Sequence, residues 1–282
     1  MHVFVTGATG WIGSATVGEL HAAGHTVVGL ARSAAAAAAL EAGGVGVARG
    51  DLDDPDSLRR AAEPADAVVH LANKHDWAHP EENDRADRAA IAAMAAILAG
   101  TDRPLVVVDG FSGLAADRPI LETDVDPRGN EHHGVPDVRT IVVRFAPTVH
   151  GAGDWGFVTF LAEAARRTGV SAYLGAGTTP WSAVHRSDAA RLIRLAVEGA
   201  PADARLHAVA EESITTRTIA ETLGRSLGLP VVPVDDAGHF GFVGGFLGLN
   251  LSASSAHTRE SLGWHPTGPS LVDDILAGAY HR

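Results

Sequence analysis

Val5-Thr6-Gly7-Ala8-Thr9-Gly10-Trp11-Ile12-Gly13 is the stretch on which the reading of this chain turns. Its glycines are spaced G-x-x-G-x-x-G. An apolar, strand-like run precedes them and a helical pattern follows. Each glycine has a job in such a turn. Gly7 permits the tight bend, Gly10 lets backbone N–H groups approach a pyrophosphate, and Gly13 lets the helix pack close to the strand. The positive end of the helix then holds the phosphate charge. The pattern predicts a dinucleotide site made of Gly7, Thr9, Gly10, Trp11, Ile12 and Gly13.

Outward from this turn, the first half alternates short apolar runs with helical patterns. Strands are expected at 3–6, 26–30, 45–48, 67–71, 105–108 and 140–145. Helices are expected at 11–23, 34–42, 55–62 and 82–98. Near-continuous apolar strands suit a parallel sheet buried on both faces. Asp54-Pro55-Asp56 reads as a helix start, with a capping acid, a proline in the first turn and an acid near the dipole. After Phe145 the rhythm breaks into Gly- and Pro-punctuated segments, with helical patterns at 157–167, 187–198, 216–227 and 270–279. The fold class that follows is α/β, a doubly wound parallel Rossmann-type sheet with a smaller C-terminal substrate lobe. Residues 1–150 make the dinucleotide-binding domain, with a sheet segment returning near 183–210. Residues 151–282 make most of the substrate-binding lobe.

The end of the second strand bears on which dinucleotide is held. An acid there would bind the ribose 2′-hydroxyl of NAD. Here Ala31 is followed by Arg32 and Ser33. A guanidinium and a hydroxyl suit a 2′-phosphate, so NADP(H) is the expected cofactor. The competing reading of Arg32 is a solvated residue opening the next helix.

Composition removes other classes. The 282 residues carry 34 acids against 22 bases, a net charge of −12. A nucleic-acid partner, which needs a basic face, is not expected. Cys is absent, so there is no thiolate metal site or Cys nucleophile. No basic and apolar leader opens the chain, and the longest uncharged apolar stretch, 240–251, falls short of the roughly 20 residues that span a bilayer. A cytoplasmic protein with a small-molecule substrate, off the membrane, is the expectation. The 240–251 stretch reads as a mobile loop or short helix. There is one lysine, Lys74, and there are two tyrosines, Tyr173 and Tyr280.

These motifs together resemble the extended, epimerase/dehydratase-type branch of the short-chain dehydrogenase/reductase superfamily, over nearly the whole chain. The carriers are the glycine turn, Gly50-Asp51-Leu52-Asp53, His70-Leu71-Ala72, Arg144-Phe145-Ala146-Pro147-Thr148-Val149-His150-Gly151 and Val184-His185-Arg186-Ser187-Asp188-Ala189-Ala190. The resemblance implies that Asp51 and Leu52 contact the adenine. It implies that Leu71 and Ala72 line the cofactor ribose and pyrophosphate, and that the backbone around Pro147 faces the nicotinamide. Asn73 and Lys74 follow at the end of the sheet where ligands bind in open α/β folds and are further cofactor candidates, Lys74 reading as a contact to a phosphate or the substrate, or as a solvated loop lysine. It also implies a homodimer through helices flanking the fifth strand. His185 and Asp188 read as structural, Asp188 favoured by the dipole of its helix.

The active site departs from that family. Members pair a Ser or Thr after the fifth strand with a Tyr-x-x-x-Lys on the next helix, the Lys lowering the Tyr pKa for proton transfer. One lysine and two distant tyrosines exclude the pair. Residues 124–137 hold two prolines and two glycines and leave little room for the helix. The Ser position is occupied by Asp109, with Ser112 three residues later. Three accounts stay open. The first is a reductase of a small, fairly apolar carbonyl, imine or enone, with Asp109, Ser112 and His132 (or His133) as substitute proton donors and holders. The second is hydride transfer that needs little acid help, as when a polarised C=C or imine is reduced. The third is loss of redox activity, leaving an isomerase, cyclase or dehydratase on the same fold or a non-catalytic NADP sensor. Trp155, Trp181, Phe240, Phe242 and Phe246 are candidates to line an apolar substrate cleft. No metal site is expected, because His75, Asp76 and His79 lack a partner His at helical spacing.

Overall fold

The computed structural model describes residues 1–76, 79–127 and 135–281. The first half runs β1 (His2–Thr6), α1 (Trp11–Ala22), β2 (Thr26–Ala31), α2 (Ala34–Ala42), β3 (Gly46–Arg49), α3 (Pro55–Ala62), β4 (Ala67–His70), α4 (Pro80–Leu98) and β5 (Thr101–Asp109). Local chemistry sets several of these ends. Ser33 caps α2, its Oγ accepting from Ala36 N at 3.1 Å. Asp54 caps α3, its Oδ1 accepting from Ser57 N at 3.2 Å, and Pro55 follows where no N–H is needed. β5 begins before its apolar run. The polar start is accommodated because Arg103 donates to the carbonyls of Glu63, Ala65 and Ile97 at 3.1, 3.0 and 2.6 Å.

A 3-10 turn over Ser112–Leu114 follows β5, and β6 (Val138–Phe145) comes next. Among the described residues between β5 and β6 there is no longer helix. The chain continues through β7 (Thr148–His150), α5 (Phe157–Thr168), β8 (Ser171–Leu174), β9 (Pro180–His185), α6 (Arg186–Gly199), β10 (Ala204–Ala208), β11 (Glu211–Thr215), α7 (Thr216–Leu227) and β12 (Val231–Val234). It ends with 3-10 turns over Ala237–Phe246, α8 (Ala256–Leu262) and α9 (Leu271–Leu276). The 3-10 turns are broken at Gly241, whose φ of 62° interrupts the winding. β7 to β12 are three to six residues long; β10 falls within the sheet segment expected near 183–210 and joins the central sheet, while the others form few apolar alternations.

The central sheet is a doubly wound Rossmann-type sheet of seven strands in the order β3-β2-β1-β4-β5-β6-β10. The pairs from β3 through β5 are parallel, with Val3 opposite Val27 on one side and Ala67 on the other. Phe4, Val68, Leu105 and Val107 are buried in one core with Leu58, Met94 and Leu98 of the flanking helices. A three-stranded sheet (β11-β9-β7) and a parallel pair (β12-β8) complete the structure.

The chain resolves into two units. One comprises 1–108, 132–143 and 190–205. The other comprises 109–131, 144–189 and 206–282. The limits fall inside β5, β6, α6 and β10, and each unit is assembled from three separated segments. No helix among the described residues is long and apolar enough to cross a membrane.

Candidate functional site

The glycine turn joins β1 to α1. Gly7 has φ +66°, and a Cβ there would lie 2.7 Å from the Leu71 carbonyl carbon and 2.8 Å from Ala72 N. A Cβ on Gly13 would lie 2.0 Å from the Gly7 carbonyl oxygen. Only hydrogen fits at both positions. Gly10 N donates to Gly7 O at 2.8 Å, and Ser14 N to Gly10 O at 2.9 Å. Gly10 is the N-cap of α1, and no side chain caps this helix. Thr9 and Gly10 are exposed, while Trp11 and Ile12 are half-buried. The arrangement fits a pyrophosphate: a backbone cradle a Cβ would fill, at the N-terminus of a twelve-residue helix that no side chain caps.

Thr6 ties the turn to the end of β4. Its Oγ1 accepts from Leu71 N and Ala72 N at 3.1 and 3.2 Å and lies 2.7 Å from His70 Nδ1. Two donors already occupy the oxygen, so the Thr6 hydroxyl hydrogen goes to Nδ1. The imidazole then carries its proton on Nε2 and donates it to Asp87 at 2.9 Å. Nothing in the local sequence marks this Thr6–His70–Asp87 chain. It exists because β1 and β4 pair with Thr6 opposite His70.

At the end of β2, Arg32 is 77% exposed, its Nε 3.8 Å from Asp51 Oδ2. A second arginine reaches the same strand ends. The β2–β3 register puts Arg49 opposite Ala31, and Arg49 donates to Ser33 O at 2.9 Å. Sequence reasoning missed Arg49, because only the strand pairing brings it next to Arg32. Asp51 Oδ1 accepts from Asp53 N at 3.0 Å, and Leu52 beside it is half-buried. Asn73 Oδ1 accepts from His75 N at 2.7 Å. Lys74 is held by both carboxylate oxygens of Asp53 at 2.7 Å, so any anion it meets competes with that pair.

The remaining site residues belong to the second unit. Asp109 is half-buried at the end of β5, Ser112 is exposed at the start of its 3-10 turn, and Pro147 is half-buried between β6 and β7. His132 and His133 lie outside the described residues. Both tyrosines are engaged. Tyr280 is 4% exposed and donates to Asp154 Oδ2 at 2.8 Å, and burial beside that carboxyl pushes its phenol far above the usual range. Tyr173 lies under the Arg217 guanidinium, 5.4 Å from ring centroid to carbon.

Two buried polar clusters organise this unit. Arg144, fully buried, donates to Asp124 O at 2.7 Å and to Glu122 O at 3.5 Å, with His207 Nε2 at 3.3 Å. His207 Nδ1 faces Ser254 O at 2.7 Å, and Glu122 Oε1 accepts from both Thr258 N and Thr258 Oγ1 at 3.0 Å. Burial depresses the His207 pKa to about 4. In the second cluster His150, fully buried, meets Asp274 Oδ2 at 2.6 Å. Nearby, Asp188 accepts from Thr267 N and Gly268 N at 2.9 and 2.8 Å, holding a loop as well as lying in the first turn of α6. Among the described residues no group of three or more His, Asp or Glu side chains is disposed to hold a metal.

Comparison with known proteins agrees with this geometry. The model of the NAD dependent epimerase/dehydratase family matches residues 3–101, the stretch holding the glycine turn, Arg32, Asp51 and Lys74. An uncharacterised protein of Schizosaccharomyces pombe is 40% identical over 294 aligned residues, covering 99% of this chain and 100% of its own. One of Saccharomyces cerevisiae is 39% identical, covering 98% of each. The fold is also that of the dTDP-glucose 4,6-dehydratase DesIV of Streptomyces venezuelae, solved with NAD and TYD bound: TM-score 0.77, 21% identity, 99% of this chain and 96% of that one. Residues 3–101 therefore belong to the NAD dependent epimerase/dehydratase family, and the chain is related to the two fungal proteins along nearly its whole length.

Proposed function

We propose that the protein is an NADP(H)-dependent oxidoreductase acting on a small, fairly apolar carbonyl, imine or enone. The observation that carries the proposal is the N-terminus of α1, without a side-chain cap, behind a turn only glycine can make, with Arg32 just after β2 and Arg49 paired opposite Ala31 at the end of β3. The turn would take the pyrophosphate, and Asp51 and Leu52 would border the adenine. Leu71, Ala72, Asn73 and Lys74 would follow the ribose, and the two guanidiniums with Ser33 would receive a 2′-phosphate. Pro147 would lie along the nicotinamide.

When bound, the cofactor supplies or takes the hydride. The proton is this chain's to provide. Asp109, at the end of β5, is the residue we assign to holding or moving it at the substrate oxygen, with Ser112 and His132 as supports. Tyr280 and Tyr173 are spent on Asp154 and Arg217, which supports a relay without tyrosine.

NADPH and NADH fluorescence titrations test the cofactor assignment. Arg32→Ala and Arg49→Ala should each weaken NADPH by about tenfold, the worth of one charge-assisted contact, and leave NADH binding unchanged. Unchanged NADPH affinity in both would overturn the 2′-phosphate assignment. NADPH binding that survives while no carbonyl, imine or enone is reduced would favour the isomerase or sensor reading, which the lost Tyr-x-x-x-Lys pair also motivates.

A further inference from the structure

Four phenylalanines in the second unit form a continuous ring cluster that is only partly covered. Phe157 and Phe160 lie on α5, and Phe242 and Phe246 on the 3-10 turns. Phe157 meets Phe246 at 4.8 Å and Phe242 at 6.3 Å. Phe242 meets Phe246 at 5.4 Å and Phe160 at 6.0 Å. Phe242 is 42% exposed, and the other three are half-buried. Fully buried Trp181 packs on Phe157 at 5.5 Å and fixes the floor. Gly241 turns the backbone just before Phe242, and a Cβ on Gly244 would lie 2.0 Å from Ala237 O, so the winding that presents Phe242 and Phe246 is tight. Partly exposed aromatic rings on a firm support favour a flat apolar ligand, which stacks on faces and edges at little conformational cost.

Charge says which ligand. The second unit contains no lysine, and its acids outnumber its arginines. Its arginines are largely committed to the protein itself. Arg118 pairs with Asp124, Arg166 with Tyr280 O, Arg167 with His239 O, Arg217 with Glu221, and Arg259 with Ala210 O. A diphosphate entering this unit would find a field of its own sign and guanidiniums already hydrogen-bonded.

We infer that the Phe157–Phe160–Phe242–Phe246 cluster is the recognition site for an uncharged aromatic substrate, an aryl ketone or enone, and not for a nucleoside diphosphate sugar. The inference rests on the oxidoreductase reading for the carbonyl and on the ring cluster for the aryl group. Calorimetric titration of the NADPH-loaded protein with 2-acetylnaphthalene, and separately with UDP-glucose, tests it. 2-Acetylnaphthalene should bind saturably and UDP-glucose should not. Phe242→Asp should weaken 2-acetylnaphthalene by about tenfold or more, while Phe242→Leu, which keeps an apolar surface, should weaken it less. Saturable UDP-glucose binding, or 2-acetylnaphthalene affinity unchanged in Phe242→Asp, would overturn the inference. Binding is read without turnover. NADPH that binds beside a failed aryl titration overturns this site alone, and an aryl ligand that binds without NADPH consumption overturns the redox reading alone.

Discussion

His207 lies beside the Arg144 guanidinium with no exposed surface, and its pKa of about 4 is set first by burial. The folded value lies below the unfolded value of 6.5, so between these limits the unfolded chain binds more protons. Stability from this residue is full above pH 6.5 and is lost as pH falls toward 4, by about 1.4 kcal/mol per unit. Urea unfolding of His207→Gln should show a flatter pH dependence across that window. An unchanged slope would assign the acid sensitivity elsewhere. At this scale the sequence displayed candidate chemistry but not partners. Arg32 and Asp51 were legible from their places after strands. Arg49, Thr6–His70–Asp87 and Arg144–His207 were not, because each depends on which strand lies beside which.

At the scale of elements, α1 shows how a glycine's value depends on its neighbours. Gly13 faces the Gly7 carbonyl, where a methyl group meets backbone that cannot yield. Gly18 in the same helix is exposed, with nothing within 4 Å of an added Cβ. Gly13→Ala should destabilise by roughly 1–3 kcal/mol from overpacking and weaken NADPH by at least about tenfold. Gly18→Ala should stabilise by about 0.5–1 kcal/mol through helix propensity. Thermal unfolding and cofactor titration of both variants check the pair, and equal effects would remove the steric argument. Elements of the first half were readable because continuous apolar strands and capped helices carry their own signals: α2 and α3 run over the residues their patterns predict, as does α7 in the second half. The strands after β6 were legible only as a sheet segment returning near 183–210, because they lack the continuous apolar runs of the earlier strands and are specified by what they pair with.

Over the whole molecule, distant segments complete each unit. Ile120 bonds with Ser252 and Ser254, Glu122 with Thr258, Asp154 with Tyr280, and His150 with Asp274. A chain ending at residue 250 loses all of these partners at once. Hydrogen exchange should then show residues 110–127 unprotected, while the amides of β1, β2 and β4 keep their slow exchange. Protection of 110–127 in the truncated chain would mean that the C-terminal segment is not its anchor.

The glycine spacing, the apolar runs and the count of one lysine and two tyrosines determined the dinucleotide fold and removed the usual proton relay, because these properties are local or arithmetic. The tertiary structure alone decided that Arg49 joins Arg32, that both tyrosines are engaged, and that four phenylalanines share one surface. Those facts arise from strand register and from segments about 40 to 130 residues apart, where no local pattern carries the information.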